Sequence, residues 1–227
     1  MAKSKSSTPS SPREGYFFYR KQVWKTTWKF RLLLILIFLA GVVLPYRFWA
    51  RQIGHSLVCT EQVDKSDAVL LENFDVNFHV FERAAKLQKA GVAPRVLVQS
   101  LETVNPAGVK ESSRRVTRLV AQNAKLENYD LIPIREIEPI SQNAARQVRE
   151  FLKRENVKSV VVVTPGFRSR RSEMVYGEEL GKHGIRVGCS PVFENVNPDS
   201  WTSTWHGMQQ VVEQFMKLQY YRFYVLR

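Results

Sequence analysis

The stretch Ser159 to Ser172, SVVVVTPGFRSRRS, constrains the fold more than any other part of this chain. Four consecutive valines, Val160 to Val163, make a run that is apolar on both faces. Such a run suits a strand in the middle of a parallel sheet. Thr164-Pro165-Gly166 ends it with a turn signal. Arg168, Arg170 and Arg171 follow at once, and the residues from Ser172 to Lys182 read as a helix. A buried strand, a tight turn and a cationic helix start describe the carboxyl edge of an open α/β sheet, where such folds place their ligands. Guanidinium groups favour phosphate and carboxylate, so the predicted ligand is an anion. The plainer alternative pairs these arginines with Glu173, Glu178 or Glu179, or leaves them in solvent. Three cations at a helix start oppose the helix dipole, which calls for a compensating negative charge.

The rest of the folded part alternates in the same manner. Strands are expected at Asp67–Leu71, Arg95–Gln99, Leu131–Ile134, Val160–Thr164 and Ile185–Cys189. Helices are expected at Val80–Ala90, Glu111–Ala124, Ser141–Arg154 and Ser172–Lys182, with a last one at Trp205–Tyr221. Gly91 closes a basic last turn, and Ser141 reads as an N-cap. Five strand–helix alternations predict a Rossmann-like, open, mainly parallel α/β sheet with helices on both faces.

Charge is unevenly spread. Residues 1–51 hold ten Lys/Arg against the single acid Glu14, out of a net +13 for the whole chain. The remainder is only mildly basic, which argues against nucleic acid as a partner. Residues 32–46 carry no charge, and Leu32 to Leu44 reads LLLILIFLAGVVL. Fifteen residues are short of the roughly 20 that cross a bilayer core. Trp24, Trp28, Phe30, Phe48 and Trp49 extend the stretch as interfacial aromatics, and Arg31 and Arg47 can snorkel. Bulky residues around Trp49 argue against signal-peptide cleavage. The expected organisation is a disordered, basic cytoplasmic segment over 1–29, a transmembrane signal anchor over 30–50, and an α/β domain over 51–227. Eight Lys/Arg upstream of the apolar run against Arg47 and Arg51 downstream put the N-terminus in the cytoplasm. The main domain is then extracytoplasmic, on a plasma or inner membrane.

The two cysteines, Cys59 and Cys189, read equally as a disulfide or as two buried thiols. The four histidines have no metal-ligand spacing, so no metal site is expected, and no cofactor is. Phosphate-loop, G-x-S-x-G and G-x-G-x-x-G patterns do not occur, which leaves kinase, serine-hydrolase and dinucleotide chemistry without support.

Candidate site residues gather at strand ends and helix starts. Glu72 and Asn73 follow the first strand, and Ser100 and Glu102 follow the second. Glu72, Glu102 and Glu111 are the candidate general bases. Arg83, Asn143, Thr164 and the three arginines are candidate ligand contacts. Each has a structural alternative as a cap, an ion-pair partner or a solvated loop residue. Trp201, Trp205 and His206 read as a pocket rim or as packing of the last helix.

The order of these pieces resembles a known family. The DAVLL strand, ERAAKLQKAG helix, PRVLVQS strand, SQNA helix start, VVVVTPGFRSRR segment and closing W-x7-E-x3-K-L-x-Y-Y helix are similar to the YdcF/SanA/ElyC-like family, also called domain of unknown function 218. Asp67–Leu71, Arg83, Ser100, Glu111, Asn143-Ala144, Thr164 and Arg171 take the places of that family's motif residues. The departures are Glu72-Asn73 for a glycine-rich loop, Leu101-Glu102 for Gly-Gly, Ile140 and Gln142 for a threonine and a glutamate, and Arg168 for a histidine. The resemblance implies a role in envelope biogenesis or barrier function, with an anionic small molecule or a lipid-linked phosphate as ligand. Two further readings are a non-catalytic scaffold with membrane-protein partners through the anchor, and an active hydrolase or transferase.

Overall fold

The computed structural model describes residues 26–61, 64–104, 110–112 and 114–227. The chain divides into two compact units at Pro45 and Tyr46. The first contains helix α1, Trp28–Val43, in which no residue is buried. Among the described residues no single helix is long and apolar enough to cross a membrane. The uninterrupted span expected over 30–50 is instead two helices, α1 and α2 (Tyr46–Ser56), which satisfy length and composition only as a pair. The break falls at Leu44-Pro45, because proline has no N–H for the helix ladder and disfavours helical backbone in the residue before it.

In the second unit α2 packs on the folded chain. The Trp201 indole N–H donates to Ala50 O at 2.8 Å. A Cβ on Gly54 would lie 2.6 Å from Pro198 O, so only glycine permits this approach. The elements that follow are β1 (Ala68–Leu71), α3 (Phe78–Lys89), β2 (Arg95–Val104), β3 (Lys110–Ser112), α4 (Arg114–Asn123) and β4 (Tyr129–Arg135). They continue with α5 (Ile140–Arg154), β5 (Ser159–Pro165), α6 (Ser169–Gly181), β6 (Arg186–Val192) and α7 (Trp205–Tyr220). Tyr221–Val225 extends α7 as a π-helical turn.

Five strands run parallel in the order β4-β2-β1-β5-β6. This is the order of a doubly wound α/β fold, and it reverses between β1 and β5. Both of those strands are buried along nearly their whole length, as apolar runs without alternation predict. Alternate residues serve opposite faces. Ala68, Leu70, Val160 and Val162 pack on α5 and α6 through Ala144, Val148, Val175 and Leu180. Val69, Leu71, Val96 and Val98 pack on α3 and α4 through Phe81, Ala84 and Ala121. Each such valine, leucine or phenylalanine contributes about 1.5–3 kcal/mol when fully buried.

Three sequence expectations are corrected. Glu111 was expected to start a helix, but it lies in β3, opposite Thr103 of an extended β2. Glu102 pairs with both Ser112 of β3 and Arg135 of β4, so those strands flank β2 on opposite sides. β3 therefore sits on β1's side of β2, beyond the Leu71–Val98 pair where β1 ends. Ser141 was expected to cap α5. The helix begins one residue earlier, Pro139 holds the cap position without a side-chain bond, and the Ser141 N–H donates to the Tyr221 hydroxyl at 3.1 Å. Helix α6 starts at Ser169, three residues before the expected start, so the arginines lie partly within it.

Cys59 and Cys189 form a disulfide that ties the segment after α2 to β6 across 130 residues. Closing a loop of that length removes chain entropy worth about 5 kcal/mol in the simplest treatment. Asp67 ties the start of β1 to the start of β5: its Oδ2 accepts from the backbone N–H groups of Lys158 and Ser159, both at 2.8 Å. The Lys158 bond is the main reason its pKa is lowered.

Candidate anion site

At the carboxyl edge of the sheet, where the strand order reverses, a cleft of about 340 Å³ opens. Phe74 and Asp75 after β1 contribute to it, as do Leu101 on β2, Glu136, Glu138 and Ser141 around the start of α5, Arg168 and Arg171 after β5, and Lys217, Tyr220 and Tyr221 at the end of α7.

The local sequence explains why two of the three arginines enter it. Successive residues on a helix are about 100° apart, so positions three apart share a face and their neighbours do not. Arg168 and Arg171 are three apart and both line the cleft. Arg170 turns away. Its backbone N–H donates to Leu57 O, and its Nη1 lies 2.5 Å from Glu173 Oε2. Arg170, expected to be a ligand contact, therefore lies outside the lining of this cleft.

Arg171 is 7 % exposed, and its Cζ lies 5.3 Å from the centre of the Tyr221 ring. Its Nε has no hydrogen-bond partner among the described residues. Burial pushes its pKa down; the negative charge of Glu72 opposes that, and Arg168 adds like-charge repulsion. Arg168 stacks near Phe74, 5.8 Å from the ring centre, and pairs with Asp75 at 2.7 Å. Asp75 is mostly exposed while Arg168 is mostly covered, and Arg168 Nε is also buried with no partner among the described residues. The third cation, Lys217, is paired with Glu213 at 2.5 Å. Positive charge thus occupies the floor of the cleft, while the exposed carboxylates Asp75, Glu136 and Glu138 stand at its rim.

Beneath the floor runs a buried polar network. Glu72, 2 % exposed, accepts at Oε2 from the Thr164 hydroxyl at 2.5 Å and from the Ser172 hydroxyl at 2.7 Å. Gln99 donates to the Tyr176 hydroxyl at 2.5 Å. Burial pushes the Tyr176 pKa well up, and the Glu72 charge adds to it. Asn73 donates to Gln99 O and to Thr117 Oγ1. Glu72, Asn73 and Thr164 therefore serve the frame under the cleft and do not line it.

Other expected site residues also lie elsewhere. Arg83 donates to Ser190 Oγ at 2.9 Å and borders a shallow depression with His79, Glu82 and Lys86. Ser100 is buried in β2 and does not line the cleft. Glu102 is ion-paired with Arg114 at 2.8 Å. The Glu111 side chain lies outside what the structure describes. Asn143 donates to the carbonyls of Ile137 and Glu138, which makes it a positioning residue for the rim loop. Lys217, Tyr221 and Ser172 were not foreseen as site residues, although Lys217 and Tyr221 stand in the closing K-L-x-Y-Y segment.

A second cavity of about 320 Å³ lies between Phe167, Phe193 and the start of α7, with His206 among its lining. It contains no lysine or arginine. Trp201 packs on α2, and Trp205 is 71 % exposed. Cys59, Glu173 and Cys189 are close enough together to hold a metal ion, but both sulfurs are committed to the disulfide.

No protein-family model, no curated protein and no solved structure matches this chain.

Proposed function

We propose that the folded unit binds an anionic, phosphate-bearing metabolite in the cleft between the ends of β1, β5 and α7. The carrying observation is Arg171, a guanidinium more than nine-tenths buried whose Nε has no acceptor among the described residues. Burying a charged group without partners is costly, and phosphate oxygens supply paired, charge-assisted acceptors. Arg168 beside it adds a second donor set at the same floor. Binding is favoured over catalysis, because Glu72 is engaged below the floor and Glu102 is paired with Arg114.

The same reading places this unit outside the cytoplasm on a single-pass membrane anchor, in the service of the cell envelope. Its supports are the uncharged segment over 32–46, the eight Lys/Arg before it, and the resemblance to the YdcF/SanA/ElyC-like family. The Cys59–Cys189 disulfide is in keeping with an oxidising compartment. Helix α1 alone spans about 24 Å for its 16 residues. It crosses the roughly 30 Å hydrocarbon core only with its aromatic flanks and local thinning.

The test is a thermal-shift titration of the full chain in detergent with inorganic phosphate and pyrophosphate, using chloride as the control. At a hundredfold excess over Kd, binding is worth about 2.7 kcal/mol, a rise in Tm of roughly 5–10 °C. A flat response to both ligands overturns the reading.

A further inference from the structure

Helix α7 is apolar on two opposite sides. Gly207, Val211, Gln214 and Leu218 form its buried face, continued by Tyr221. At 100° per residue, Trp205, Met208, Val212, Met216 and Tyr220 form a second, mainly apolar stripe roughly opposite to it, with Gln209 and Gln219 among them. That stripe is in solvent: Trp205 is 71 % exposed, Val212 60 % and Met216 65 %. A surface helix normally turns a polar face outward, and a contiguous exposed apolar stripe marks a surface that meets a partner.

We infer that α7 lies in the interfacial layer of a lipid bilayer, with this stripe facing the acyl chains. The composition identifies the occupant. Tryptophan and tyrosine, whose rings are apolar and whose N–H and O–H groups want water, settle at the headgroup level of membranes. Methionines between them give a deformable apolar surface. Lys217, Arg222 and Arg227 flank the stripe against the single acid Glu213, a balance that attracts anionic headgroups. The same chain carries another apolar surface of the kind lipid covers, helix α1, in which no residue is buried. Lys217 and Tyr220 also line the anion cleft. A docked α7 therefore opens that cleft at headgroup height, but docking does not depend on what the cleft binds.

The experiment uses the full oxidised chain in nanodiscs of neutral and anionic phospholipid. Val212→Cys, Met216→Cys and, as a control on exposed α6 surface, Glu178→Cys are each labelled with an environment-sensitive fluorophore. Lipids carrying a nitroxide at a shallow acyl position are then added. Labels at 212 and 216 are expected to shift to the blue and to be quenched severalfold more strongly than the label at 178. Equal quenching at all three positions overturns the inference. So does a disulfide between two copies of unlabelled Val212→Cys, formed on mild oxidation, where the labelled sample shows no lipid quenching; that outcome assigns the stripe to a second copy of the chain. All three positions are exposed, so the variants keep the fold, and the disulfide-dependent Tm confirms it.

Discussion

The Ser172 hydroxyl donates to Glu72 Oε2 at 2.7 Å, joining the helix after β5 to the end of β1 across the point where the strand order reverses. Both groups are buried. With the Thr164 bond to the same oxygen, this contact fixes the first turn of α6 and therefore the direction of Arg171. Ser172→Ala removes one donor and is expected to cost about 1 kcal/mol. Glu72→Ala leaves two buried hydroxyls without their acceptor and is expected to cost about 3 kcal/mol. Urea unfolding of both variants checks the ranking. Equal costs contradict the shared role of Oε2.

Gly166 separates β5 from α6 and lies against Phe193. A Cβ at this position would stand 2.1 Å from Phe193 Cε1. Phe193 is held edge-on to Phe167 at 5.5 Å, so it cannot withdraw freely. Gly166→Ala is expected to destabilise by about 1–3 kcal/mol, as overpacked sites do. Gly41→Ala, inside α1 and with nothing within 4 Å of the new methyl, is the control: it is expected to leave Tm unchanged or slightly raised, because alanine is the better helix former.

Asp67 sets an acid limit. Its folded pKa is lowered from 3.8, chiefly by the Lys158 N–H and further by Ser159. A lowered carboxyl pKa stabilises above the unfolded value, and that stabilisation is lost as the pH falls through the folded value. Stability measured downward from pH 5 is therefore expected to decline below about pH 4, and Asp67→Asn flattens that part of the curve. An unchanged slope in Asp67→Asn contradicts the assignment.

Reduction of Cys59–Cys189 opens a loop of 130 residues. Loss of about 3–5 kcal/mol is expected, a fall in Tm of roughly 6–20 °C. The Cys59→Ser/Cys189→Ser pair should match the reduced protein. A reduced chain as stable as the oxidised one removes the disulfide from the account.

The parallel sheet was legible because its signal is local. DAVLL and VVVV are apolar on both faces, and only a sheet covered on both sides buries such runs. β3 was not legible: it is a three-residue strand whose pairing is with the backbone of β2, and it carries no hydrophobic period. The break at Leu44-Pro45 was visible as a proline, yet the apolar run around it reads as continuous. In the site, the i, i+3 spacing of Arg168 and Arg171 was present in the sequence and already separates them from Arg170. Lys217 and Tyr221 reach the same cleft from more than forty residues away. Their arrival depends on how α7 packs, which no local pattern encodes.

In the proposed function, Arg171 is buried to meet an anion from outside the chain. Isothermal titration of inorganic phosphate into the full chain tests it with two variants of neighbouring residues. Arg170→Ala is predicted to bind as the unaltered protein does. Arg171→Met, similar in size but uncharged, is predicted to weaken binding by roughly tenfold or more, the worth of a charge-assisted bond of about 1.5–3 kcal/mol. Equal losses in the two variants, or full binding by Arg171→Met, would contradict the account.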